Sequence, residues 1–467
     1  MMLVSSVALR AQTTLYWRTD GTAGGNWNST YWNSGSANAT GGTGWTAGAN
    51  AVFSASSTLT FNSATVGNVT VTNGSTVTIT STQTLTLGGV RTFDIGAGST
   101  LTWTSQGQST AAGNEGAGVI KTGDGTLDWG AGPGTNSRFN GGFTVNSGTV
   151  IVSGANSFGT GTLTINGGTI QSSNTTAVTV ANAVVFGGNV ALSNFSGNGS
   201  VTWSGSVNLG GGVRTITNNA TSGRSFSGTI SNGGLVFNGT GTTTLSGNNT
   251  YSGGTTISAG TLTAGHNNAL GSGSVIVNTS GTLSIADNVT IGNAIQLDGG
   301  SLQGVGTESK FSGTLSGSGT LTGPLTLTDS AIFQWHLNSA STSGANKLSI
   351  AAGTLTITAG AMLELSFSAV VAPTTGGFWD VTQTWTIVGK GESGSIAGSS
   401  LAVAEGNKSL WNDLGNFQVA LQSGSLVLIW TPHVTAIPEP STYAAWLGAA
   451  ALVGAGWYRH RQRLSKA

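Results

Sequence analysis

Over much of the chain, leucine, valine and isoleucine alternate with threonine or serine in short runs such as TLTI and VIV, and glycine or asparagine turns separate the runs. A period of two places the apolar side chains on one face of a strand and the hydroxyls on the other, so each run predicts a half-buried β-strand. Threonine suits the outer face because it is β-branched and polar, and glycine or asparagine suits corners with positive φ. The strands also recur. A glycine followed by threonine or serine and then apolar alternation stands at Gly241, Gly260, Gly281, Gly300 and Gly319, spaced by 19, 21, 19 and 19 residues. Looser echoes begin at Gly74, Gly98, Gly125, Gly148, Gly168 and Gly353.

A period near 20 predicts a solenoid and not a closed globule. Each unit supplies one coil of two or three short strands, stacked on the next coil at about 4.8 Å, and no coil is stable alone. Over 61–330 this gives roughly a dozen coils and a rod on the order of 60 Å long. The fold class is therefore all-β, a right-handed parallel β-helix (β-solenoid). A Trp-rich N-terminal cap is expected at 12–60, where Trp17, Trp27, Trp32 and Trp45 cluster, because solenoid ends must be covered. Aromatic faces there also fit stacking on sugars. A β-rich C-terminal region with Trp379, Trp385, Trp411 and Trp430 is expected at 331–436.

The two termini carry a different pattern. Tyr443 to Tyr458 is an unbroken, mostly apolar run followed by Arg459, Arg461 and Arg463. As a helix it would be about 24 Å long, a marginal span of a roughly 30 Å hydrocarbon core. Trp446, Trp457 and Tyr458 suit the headgroup zone, and the arginines form a stop that stays cytoplasmic, which leaves the body outside. A single C-terminal transmembrane helix is thus expected at 443–458. Residues 1–11 read as the end of a signal peptide with Ala11 as the cleavage residue, and the missing basic start points to a start codon upstream.

Composition narrows the class of the body. The chain has 77 Gly, 6 Pro, no Cys and only 6% charged residues. Export without cysteine leaves stability to repetitive packing and hydrogen bonding. Five of the 15 basic residues (Arg10, Arg459, Arg461, Arg463 and Lys466) and one of the 15 acidic ones (Glu439) lie in the terminal segments, so the body holds 10 against 14 acidic ones. A mildly acidic body argues against a nucleic-acid partner.

The tail at 437–467, with the segment Pro438-Glu439-Pro440-Ser441-Thr442 followed by one apolar helix and a basic end, resembles the PEP-CTERM sorting signal. The resemblance implies recognition and cutting by exosortase, a membrane transpeptidase. Ile437 stands where valine is common in that family, and the basic end is broken up as RHRQR. Proline keeps such a site extended and accessible outside the bilayer. GNNTYSGGTTISAGTL at 247–262 is similar to the autotransporter-associated β-strand repeat, which implies a β-solenoid surface protein. Residues 331–436 are too few for the roughly twelve tilted strands of a typical translocating barrel, so self-export is not expected.

Candidate chemistry is sparse. Between 139 and 286 the charged or histidine residues are Arg214, Arg224 and His266 alone. Asp124 and Asp128 in GDGTLDW, read as one strand, would face the same way about 13 Å apart, too far to share a proton or a metal, and both read as solvated. His266, His336, His433 and His460 have no companion at ligand spacing. No enzyme, catalytic residue, metal or cofactor is expected. The chain reads as an exported structural or adhesive protein of the cell surface or extracellular matrix. It would be tethered to the inner membrane before exosortase processing, then held at the envelope or released. Extracellular polysaccharide or like surface rods are its expected partners. The alternative is a β-helical polysaccharide-binding or polysaccharide-degrading protein.

Overall fold

The structure, a computed structural model, describes residues 12–433 with breaks, the longest at 106–115 and 130–138. The body is a parallel β-solenoid. Its first ladder is an 11-stranded sheet that starts from Thr14–Trp17, Asn50–Phe53 and Val69–Val71 and ends at Ile230–Ser231. Every pair in it is parallel except at the N-terminal end, where the short strand Trp32–Asn33 runs antiparallel to Thr14–Trp17. A second ladder passes from Ser57–Thr60 through Thr76–Ser81, Thr100–Ser105 and Thr126–Trp129 and beyond. A third face joins at Val178–Val180, Val201–Trp203 and Arg224–Phe226. The ladders run without interruption across residue 60, so the aromatic N-terminal segment is stacked into the same rod.

The most regular stretch is built from 20-residue coils: Leu235 pairs with Thr255, Thr255 with Val275, Val275 with Ile295, and Ile295 with Leu315. Here single strands, Thr255–Ala264, Val275–Ile285, Ile295–Gly304 and Thr314–Thr322, continue the second ladder with their first half and the third with their second half. Gly260, Gly281, Gly300 and Gly319 lie at the bend. Gly260 has φ +77°, as expected for a corner. At Gly300 the reason is instead close backbone approach, since a Cβ there would lie 2.5 Å from the Val277 carbonyl oxygen.

The interior is one continuous column. Along the third face the inward positions run through Leu262, Leu283, Leu302 and Leu321, at most 2% exposed. The N-terminal coils fill the same space with rings: Trp17, Trp27, Trp32 and Phe53 are buried and lie within 6.2 Å of one another where they touch. Burial of Trp17, Trp27 and Trp32 removes them as sugar platforms; their faces are spent on each other, and the Trp32 indole N–H donates to the Trp27 carbonyl at 2.7 Å.

The C-terminal end changes strand sense. Gln383–Gly398 stays parallel to Leu348–Ile357 from Val388 onward, while its first residues, Gln383–Val388, pair antiparallel with Ser425–Pro432, which pairs in turn with Gly415–Gln422. Ser423 and Gly424 join the last two strands with φ 50° and 78°, the two positive values a two-residue hairpin turn needs. Phe367, Trp379, Trp385, Trp411, Phe417 and Trp430 pack under this sheet. The only helix among the described residues is the short 3-10 turn Gly377–Asp380, and none there is long and apolar enough to cross a membrane.

Candidate interaction surface

Strand alternation decides what the rod presents. Along the third face, Thr242, Thr261, Thr282, Ser301 and Thr320 form one register column and Thr244, Thr263, Ser284, Gln303 and Thr322 the next. Neighbours within a column sit about 4.8 Å apart and the columns about 6.7 Å apart, from strand geometry. Eight of the ten are half-buried, Thr242 is exposed and Ser284 is buried. The surface is an uncharged lattice of hydroxyls and one amide. Nearby ionic groups lie off it; Lys310 pairs with Glu308 at 2.6 Å elsewhere on the coil.

The residues singled out at the termini, Ala11, the segment Pro438, Glu439, Pro440, Ser441 and Thr442, the helix 443–458 and the stop Arg459, Arg461 and Arg463, lie outside the described residues. The two aspartates do not share a strand as expected. Asp124 lies exposed in the turn between Gly118–Thr122 and Thr126–Trp129, because GDG closes a corner. Asp128 is not simply solvated: it stands on the outer side of the ladder between Thr102 and Ile151, and Ile151 is 1% exposed. Burial pushes the Asp128 carboxyl above its usual range, against a hydrogen bond from Thr102. His266 accepts from the Asn268 backbone N–H at 3.0 Å, a turn contact, while His336 meets Ser366 and His433 meets Asn416. Among the described residues no group of three or more His, Cys, Asp or Glu is placed to hold a metal ion.

Two buried cations escaped the sequence reading. Lys121 occupies the inward position that Phe93 and Val145 fill in the adjacent coils, and it is 0% exposed. Its ammonium donates to the carbonyls of Thr122 (2.7 Å), Gly123 (2.6 Å) and Ser147 (3.3 Å). Burial lowers its pKa to about 8, only partly opposed by Asp94 and Asp124. Arg224 takes the inward position between Val201 and Thr243 and is 2% exposed. Its guanidinium donates to the carbonyls of Gly199 (3.3 Å) and Ser193 (3.0 Å), to the Ser222 hydroxyl (2.8 Å) and to the Asn194 side chain. Both cations satisfy carbonyls at the coil corners.

A different arginine-bound corner repeats in the sequence. LGGVRT at 87–92 recurs as LGGGVRT at 209–215, and in each copy the arginine reaches back to the leucine carbonyl, Arg91 to Leu87 at 2.7 Å and Arg214 to Leu209 at 2.9 Å. The following threonine N–H is held by an asparagine one coil earlier, Asn68 or Asn189, at 2.9 Å in both.

The best repeat copy has its own internal wiring. Asn249 is buried; its side chain accepts from Ile230 N–H at 2.7 Å and donates to the Ala269 carbonyl at 2.6 Å, tying three successive coils. Tyr251 is buried beside Thr255, hydroxyl to hydroxyl at 2.7 Å. A family model described as the passenger-associated-transport-repeat matches residues 235–264, a coil and a half containing these groups. No curated protein and no solved structure matches the chain. Over 235–264 the chain is similar to this autotransporter-type repeat, and the repeat within a parallel β-solenoid suggests an extracellular or surface β-helical protein.

Proposed function

We propose that this chain is an exported structural or adhesive rod of the cell surface or extracellular matrix, sorted by its PEP-CTERM-like tail and processed by an exosortase-type transpeptidase. The rod winds right-handed, the sense favoured for parallel strand crossovers. Its aromatic ends act as closures, and the hydroxyl lattice on the third face makes lateral contact with neutral polysaccharide or with neighbouring rods. The observation that carries the reading is the two-column array from Thr242 to Thr322, which repeats a weak hydrogen-bonding group at every coil, Ser284 alone being buried. Single contacts of that kind contribute about 1 kcal/mol or less, so retention comes from their number.

Placing carboxylates on alternate coils of the array, Thr261→Glu with Ser301→Glu, should leave the melting profile close to wild type. It should also weaken co-sedimentation with polysaccharide extracted from the host's own matrix by about tenfold or more. Undiminished co-sedimentation of a folded variant would remove the lattice from the proposal.

A further inference from the structure

In the coils built on Ser57–Thr60, Thr76–Ser81 and Thr100–Ser105, every outward position of the second ladder is a threonine. Thr58, Thr78 and Thr102 stand in one register column, and Thr60, Thr80 and Thr104 in the next. Thr76 and Thr100 begin a third column, on the other side of the first, which runs on through Thr126, Thr149 and Thr169. The three strands pair without a register shift, and the residues between the threonines, Leu59, Val77, Ile79, Leu101 and Trp103, are at most 2% exposed. Thr58, Thr60, Thr76 and Thr80 are exposed and the rest of the three-coil array is half-buried. On the first ladder the outward positions of the same coils hold Asn50, Val52, Thr70, Thr92 and Asp94. A chain merely rich in threonine would supply both faces alike, yet only one is uniform.

We infer that this face binds the surface of ice. Its two repeats, about 4.8 Å between coils and about 6.7 Å along the strand from strand geometry, each lie within about a tenth of an oxygen repeat of ice, one along the a axis and the other along c. Branching at Cβ restricts threonine to few rotamers, so the hydroxyls are placed before contact. Two are pinned further and in the same way: Thr80 donates to the Leu59 carbonyl at 3.3 Å and Thr104 to the Ile79 carbonyl at 3.4 Å, each one coil back. The methyl beside each hydroxyl offers water no hydrogen bond, so the water over it bonds to its own neighbours and to the hydroxyls, as a layer of ice requires. A glycan chain is periodic in one direction only, whereas this array repeats in two. Asp128 follows Thr102 in the middle column, accepts its hydroxyl hydrogen bond and ends the array. The face is distinct from the hydroxyl lattice at 242–322, so either role can fail without the other.

The test grows an ice front slowly through a solution of the fluorescently labelled full chain in mild detergent and measures the protein taken into the ice, with serum albumin as the excluded reference. Wild type should be enriched in the ice. Thr78→Lys, at the centre of the array, should lower the enrichment at least about fivefold. Thr70→Lys puts the same charge on the first face of the same coil and should leave it unchanged. Thr78→Ser with Thr102→Ser keeps both hydroxyls and removes two methyls, so ice uptake should fall while hydrogen bonding to a glycan would persist. All these side chains point outward, so melting curves should match wild type; if Thr78→Lys does not fold, the serine pair decides. Exclusion of the wild-type chain from ice, full enrichment of either folded Thr78 variant, or an equal loss in Thr70→Lys overturns the inference.

Discussion

The coils from 235 to 322 and those from 14 to 226 solve one problem in two ways. The later coils keep a 20-residue register and stack like on like: Leu262, Leu283, Leu302 and Leu321 inward, threonine and serine outward, glycine at the bend. The earlier ones differ in length, as the register shows where Thr100 pairs with Thr126 and Thr126 with Thr149, and they fill a less uniform bore with tryptophan, phenylalanine and two cations. Identical coils share their packing among many equal contacts. Unequal coils depend on particular residues. In a solenoid, where each coil contacts only its neighbours, this predicts that damage to the early coils is local and severe, while damage to the later coils is moderate wherever it falls.

The largest effect should come from the N-terminal aromatic cluster. Trp32→Ala removes contacts with Trp17 at 5.2 Å, Trp27 at 5.0 Å and Trp45 at 4.8 Å, together with the bond to the Trp27 carbonyl. It should cost about 3–5 kcal/mol of local stability, visible as lost amide-exchange protection in the first coils with protection at 275–304 preserved. Next, Gly300→Ala places a methyl 2.5 Å from the Val277 carbonyl and should cost about 1–3 kcal/mol, shown by an earlier denaturation midpoint.

Lys121 sharpens the comparison through pH. Its pKa falls to about 8 in the folded chain, from 10.5. Between these values the unfolded chain holds a proton that the folded one has lost, so stability rises as pH increases from about 8 to 10.5. The gain should be about 1–3 kcal/mol in urea titrations, and Lys121→Met should abolish this part of the slope. The smallest effect is expected at Asp128. Its raised pKa makes the ionised form unfavourable in the fold, so stability contributed by this group falls as pH rises through the window just above 3.8. Asp128→Asn should therefore stabilise slightly at neutral pH, by about 1 kcal/mol or less, in the same titrations.

The later coils were readable from the sequence because their period of two and their period near 20 coincide, so each glycine marks the same corner in successive coils. The 20-residue register at Val275 and Ile295 follows directly from that spacing. The early coils hid their organisation. Insertions between Ser105 and Gly118 and between Trp129 and Phe143 obscure the period, and Lys121 or Arg224 at an inward position breaks the alternation that marks a strand. A charged side chain there reads as a surface residue until the corner carbonyls around it are seen.

The account rests most heavily on export followed by processing of the tail. Mass-spectrometric mapping of the C-terminus, on protein recovered from the envelope and medium of the native host, tests it directly. A terminus within Pro438 to Thr442, with Tyr443 to Ala467 absent, is the predicted result. Chain that retains Arg463 in every fraction and stays with the cytoplasm would contradict it.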